Sequence, residues 1–194
     1  MIDKRRRQEG ENARLRKDNS QLERKIQEDN AILKVKMEPI NKLREEYEAL
    51  KLNFTPDNLK KVYAYFEKKS NDSAAYVVEA LIGLMRNQRR SDPKSVELYI
   101  KKHEGFMAAI NRVEPKTVNG VFCEEHLNNL AKNHNKVIDQ EEFAIFRPYR
   151  DFLTKMCELG VLCKDEVLLE NSIEENSKKL ESNHREIEQN EQLL

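Results

Sequence analysis

The chain has 194 residues, with 35 Lys+Arg against 35 Asp+Glu and a formal net charge of zero. That balance excludes a global pull toward nucleic acid or an anionic membrane. Charged residues make up 36% and hydrophobic ones 38%, with 5 Gly, 5 Pro and no Trp; this is the composition of long helices, and no apolar run approaches the roughly 18–20 residues of a membrane span.

The chain opens MIDKRRRQEGENARLRKDN, basic but with no apolar stretch behind, so no secretory signal is read there. Three cysteines, an odd number without framework spacing, suggest reduced thiols and a cytoplasmic protein. From about 11 to 52, aliphatics and asparagines fall on a heptad grid. One position holds Asn12, Asn19, Ile26, Leu33, Ile40 and Tyr47; the other holds Leu15, Leu22, Asp29, Lys36, Leu43 and Leu50. The turns between are polar, as on a coiled-coil flank. Asp29 and Lys36 are defects in this seam. Pro39 falls inside the pattern and predicts a kink or a restart, with a second helix over 39–52.

Residues 53–162 read as a compact helical domain of about five helices. TPDN, with Thr55 and Pro56, caps a helix through Val62, Tyr63 and Phe66. After a polar KKSNDS turn, a second helix carries Val77, Val78, Leu81, Ile82 and Met85. SDPKS caps a third, with Val96, Tyr99, Ile100, Phe106, Met107 and Ile110 at helical spacing. EPKTVNG breaks the chain. A short helix is predicted near 123–132 and a longer one over about 140–159, bent at Pro148 and ended by Gly160.

The C-terminal segment, 163–194, returns to the heptad grid. Leu169, Asn176, Asn183 and Asn190 take one position; Ile173, Leu180, Ile187 and Leu194 take the other. A buried asparagine weakens a coiled-coil seam but fixes register and partner, because the amide must meet another polar group or stay unsatisfied. The predicted seam is therefore Leu15, Asn19, Leu22, Ile26 and Leu33 in one arm, and Ile173, Asn176, Leu180, Asn183, Ile187, Asn190 and Leu194 in the other. The arms could pair with a second copy in parallel, pair with another protein, or fold back on each other.

The stretch NHNKVIDQEEFAIF, 133–146, resembles the second half of an EF-hand loop and its exit helix. With Glu142 at the twelfth loop position, Asp139 is the ninth, Asn135 the fifth and Asn133 the third, all oxygen-ligand positions in that family. The resemblance implies a calcium site on Asn133, Asn135, Asp139 and Glu142. Ala131 at the first position and Lys136 at the sixth depart from the pattern and imply a module that no longer binds metal. The stretch 64–86 is a fainter echo. Cys123, His126, Cys157 and Cys163 could be drawn as a zinc set, although their spacing is not that of a usual knuckle. His103 lies on an apolar stripe, where a core-edge role is expected.

Neither a nucleophile elbow nor a glycine-rich phosphate loop occurs, and no catalytic role is expected. Two basic clusters remain. Arg5, Arg6 and Arg7 precede a heptad pattern as in a zipper, but they are too few to read a major groove and Gly10 interrupts them. Arg86, Arg89 and Arg90 form a candidate patch for an acidic partner such as a microtubule or other filament surface.

The expectation is thus an all-α, non-enzymatic scaffold without a cofactor. Its helical domain sits in sequence between two coiled-coil arms, in a homo- or hetero-oligomer of cytoskeletal or axonemal type. The alternatives are a calcium-responsive EF-hand-type adaptor and, more distantly, a zipper-type nucleic-acid binder.

Overall fold

The computed structural model describes residues 2–68 and 71–193. Among them no strand occurs, and the chain is all-α with long helices at both ends. These are α1 (Ile2–Leu50) and α8 (Arg147–Gln192). In sequence between them come α2 (Pro56–Lys68), α3 (Asp72–Met85), α4 (Pro93–Ile100), α5 (His103–Arg112), α6 (Gly120–Asn129) and a single turn, α7 (Asn135–Ile138). The chain divides into two compact units, Met1–Glu38 with Asp165–Leu194, and Pro39–Lys164. Residues 39–52, which the heptad pattern assigns to the N-terminal arm, belong to the second unit.

In the first unit the α1 segment and the α8 segment pair antiparallel. Partners run from Asn12 with Asn190, through Asn19 with Asn183 and Asp29 with Ser172, to Lys36 with Asp165. One strand of partners advances as the other retreats, so a single register holds throughout.

The second unit is built around aromatic rings. Tyr47 stacks on Phe152 at 4.6 Å. Phe54 meets Phe106, Tyr149 and Phe152 edge-on at 5.1, 5.1 and 5.3 Å. Such edge-on and offset pairs add to the burial of the rings themselves. A second group joins Tyr65 and Phe66 to Phe146. Helix α3 is buried on nearly every side from Ala74 to Leu84; Ala75 and Glu79, one turn apart, form its more open stripe. An apolar helix of this kind is a core helix.

The helix starts follow side-chain capping. The Asn58 N–H donates to Thr55 Oγ1 at the head of α2, and the Ser95 N–H donates to Asp92 Oδ1 at the head of α4. Asn71 and Asn119 cap α3 and α6 in the same way. Each cap satisfies backbone donors that the first helical turn leaves unpaired.

The helix boundaries depart from the pattern in four places. Helix α1 runs through Pro39 without a restart. The hydrogen bond that Pro39 cannot make would have gone to the carbonyl of Val35, a residue 75% exposed, where water can replace it. The predicted third helix is two, α4 and α5, because Lys102 is extended at φ −128° and ψ 125°. The predicted 140–159 helix begins as a 3-10 segment over Glu141–Phe146, and Pro148 lies in the first turn of α8, where its missing N–H costs nothing. Gly160 does not end that helix. A Cβ there would lie 2.7 Å from Cys123 Sγ, so this glycine admits α6 against α8 and is not a C-cap.

Candidate interaction surfaces

The heptad asparagines lie on the helix seam and meet across it. Asn183 Nδ2 donates to Asn19 Oδ1 at 2.8 Å, and Asn190 Nδ2 donates to Asn12 Oδ1 at 2.9 Å. Asn12 and Asn19 are each only 4% exposed. The same register sets Leu15 against Ile187, both buried, and brings half-buried Leu22 level with Leu180 and Leu33 with Leu169. Asn176 falls opposite Ile26 and turns instead to Ser172 Oγ at 3.5 Å. Asp29, a defect in the sequence pattern, is buried and satisfied by Lys25 at 2.8 Å and Ser172 at 2.8 Å. The hydrogen bonds from Lys25 and Ser172 hold its carboxyl below the usual carboxylate value. Leu194 lies outside the described residues.

These layers choose a register. Slipping by one heptad would still set amide on amide, Asn12 with Asn183 and Asn19 with Asn176. It would also bring Asp29 level with Glu166, a second buried carboxylate, where two like charges repel. The polar defects therefore do what the amides alone do not. The seam is satisfied within one chain, so any partner of this unit uses another face. Among the described residues, Ile32, Val35 and Leu168 are large apolar side chains left exposed on these segments, together with Leu193 near the chain end.

In the second unit each arginine of the predicted patch also has a partner within the chain. Arg89 pairs with Glu125 at 2.8 Å and lies over the Phe122 ring. Arg90 pairs with Glu79 at 2.6 Å and lies over Tyr76. Arg86 donates to Ser91 Oγ at 3.1 Å and approaches Asp92. Arg90 ties the 86–92 loop to α3 and Arg89 ties it to α6, and Gly83 has the Arg90 backbone within 2.7 Å of the position of a Cβ.

The EF-hand-like stretch follows a helical path. Leu130–His134 is a π-turn and α7 follows directly. Asn133 Nδ2 donates to Asn129, Asp139 pairs with Arg150 at 2.7 Å, and Glu142 is exposed. The buried Oδ1 of Asn135 has no hydrogen-bond partner among the described residues. No group of three His, Cys, Asp or Glu side chains among the described residues is placed to hold a metal ion.

Of the four residues drawn as a zinc set, His126 has both ring nitrogens engaged. Its Nδ1 lies 2.5 Å from Tyr76 Oη and its Nε2 lies 2.7 Å from the Arg89 carbonyl. Because a carbonyl can only accept, Nε2 carries the proton and Tyr76 donates to Nδ1. Cys123, Cys157 and Cys163 are buried and in no disulfide; the hydrogen bond with Cys123, together with burial, pushes the Cys157 thiol up. Tyr76 also stacks on His134 at 4.1 Å, and His134 Nδ1 lies 2.8 Å from Ser73 Oγ. This largely buried network of Ser73, His134, Tyr76 and His126 is a polar feature that sequence reading missed. Residues far apart in the chain build it, and no spacing announces them. His103, expected at the core edge, is half-buried with Nε2 2.9 Å from the Phe54 carbonyl.

Among the described residues of the second unit, several grooves open. One of about 660 Å³ lies along Glu46, Leu50, Asp139, Arg150 and Lys155. One of about 310 Å³ lies between α2, α3 and α4. One of about 340 Å³ has Arg86, Tyr99 and Arg112 on its walls. Compared with models of known protein families and with curated proteins, the chain matches none.

Proposed function

We propose that this chain is a non-enzymatic scaffold of cytoskeletal or axonemal type. In this reading the antiparallel segments form a two-stranded coiled coil and the Pro39–Lys164 unit docks a filament surface such as a microtubule. The observation that carries it is the pairing of Asn12 with Asn190 and Asn19 with Asn183. Amides at a heptad seam, together with the buried Asp29, hold one alignment at the cost of stability, which suits a part whose task is positioning. The charge distribution supports the docking role: cations outnumber anions within residues 39–164 and the reverse holds in the arms. An acidic filament would attract such a module, and the attraction would weaken with salt.

Co-sedimentation of the purified chain with microtubules and with actin tests this reading. It expects pelleting with one filament class, weakened by added salt. A chain that pellets with neither, and stays monomeric in light scattering, would defeat it.

A further inference from the structure

The groove between α2, α3 and α4 combines an apolar floor with a rim of one sign. Half-buried Phe66 and Ala75 and exposed Pro93 are its accessible apolar residues, while Val96 and Ile100, which also line it, are 4% and 1% exposed; among the described residues, the charged side chains lining it are Glu67, Glu79 and Glu97. The wall from α4 is a single helical face, Pro93, Val96, Glu97 and Ile100, at the spacing of successive turns. The wall from α3 is Ala75 and Glu79, the stripe left open on an otherwise buried helix. Arg90 neutralises Glu79. Glu97 accepts a hydrogen bond from Tyr63 Oη at 3.2 Å, which donates but brings no charge. Glu67 and Glu97 are in no ion pair with a described cation.

The geometry points to this groove as a docking site for a basic amphipathic helix of a protein partner, distinct from any filament the unit docks. The partner's apolar stripe would lie on Phe66, Ala75 and Pro93, and lysines or arginines flanking the stripe would meet Glu67 and Glu97. Helix-in-groove recognition places anchors at successive turns, the spacing this wall offers. The carboxylates select against an acidic helix of the same shape, since like charges brought together at an interface repel. A groove of about 310 Å³ takes one or two anchoring side chains and not a whole domain.

The test uses the full chain and a fluorescein-labelled helical peptide of leucine and lysine, with a leucine–glutamate peptide of the same pattern as control. Fluorescence anisotropy gives affinity, and amide chemical shifts locate the contact. The expected result is binding of the basic peptide with shifts confined to 63–67, 75–79 and 93–100. The surface variant Glu67→Lys/Glu97→Lys should weaken it roughly tenfold, as two rim ion pairs turned repulsive do. Equal binding of the acidic peptide, unchanged affinity in the double variant, or shifts scattered over the surface would overturn the proposal. So would a dimer that closes the groove in light scattering, because the occupant would then be a second copy.

Discussion

Asn19 in the helix pair and Phe152 in the Pro39–Lys164 unit are both buried, yet they contribute in different ways. Asn19 meets one atom, Asn183 Nδ2, and a net amide hydrogen bond is worth about 1 kcal/mol. Phe152 touches Tyr47 and Phe54 rings inside a dry core, and such a ring carries about 3–5 kcal/mol. The amide would be expensive to leave unpaired; the ring would be expensive to lose. The helix pair therefore spends its seam on alignment, and the second unit spends its core on stability, although α1 and α8 contribute residues to both.

The contrast breaks most sharply at Phe152. Phe152→Ala should cost about 3–5 kcal/mol in urea unfolding, and a loss under about 1 kcal/mol would make the aromatic cluster incidental. Next comes the seam. Asn183→Leu alone should cost about 1–3 kcal/mol, because Asn19 keeps a buried, unpaired carbonyl oxygen. The double change Asn19→Leu/Asn183→Leu should recover most of that and loosen the register, read as a broadened distance between spin labels on the two arms. If the double variant costs as much as the single ones combined, the amide pair is not the coupled unit described here.

Glycines sharpen the contrast on a smaller scale. Gly83→Ala would bring a Cβ within 2.7–2.9 Å of the Arg90 backbone, which cannot yield as a side chain can. A cost of about 1–3 kcal/mol is expected despite the better helix propensity of alanine. Gly10→Ala in the helix pair meets nothing within 4 Å and should instead stabilise, by about 0.5–1 kcal/mol. Both shifts can be read from thermal unfolding.

Acid should separate the two units. Burial pulls His126 and His134 below the ordinary histidine value of 6.5. Each therefore binds its proton more readily unfolded than folded. Their stabilising share is complete above 6.5 and is lost as pH falls through that value toward the lower folded one. The groups around them, Tyr76, Arg90, Glu125 and Asp72, do not reverse this direction. Asp29 in the helix pair is also held low, so its share is lost only as pH falls below 3.8. Amide exchange followed down the pH scale should show the second unit loosening first. His126→Asn should flatten its response, and equal loosening of both units near pH 6.5 would contradict the assignment.

Part of this was readable from the residues alone. The heptad grid placed Asn12, Asn19, Asn183 and Asn190 on the seam, and TPDN and SDPKS marked two helix starts. Over four layers the C-terminal arm read backward matches the N-terminal one, until Ile26 meets Asn176. Asparagine meets asparagine at 12 with 190 and 19 with 183, and aliphatic meets aliphatic at 15 with 187 and 22 with 180. Gly160 misled because a glycine has the same local meaning wherever it stands, and its role here depends on Cys123 packed against it. Pro39 starts no new helix, although the division between the two units falls there. The pairing of Arg86 with Asp92, Arg89 with Glu125 and Arg90 with Glu79 was not legible, because the two residues of each pair are neither heptad nor next-turn neighbours.

By itself, then, the sequence determined the helical class, the seam positions and several caps, since these depend on residues within a turn or a heptad of one another. Tertiary structure alone decided that α3 is a central helix with an open stripe, that arginines are neutralised, and that Ser73, His134, Tyr76 and His126 join in one buried network. Those features arise where distant segments approach, and the free energy of such an approach belongs to the packed pair and not to either stretch of chain.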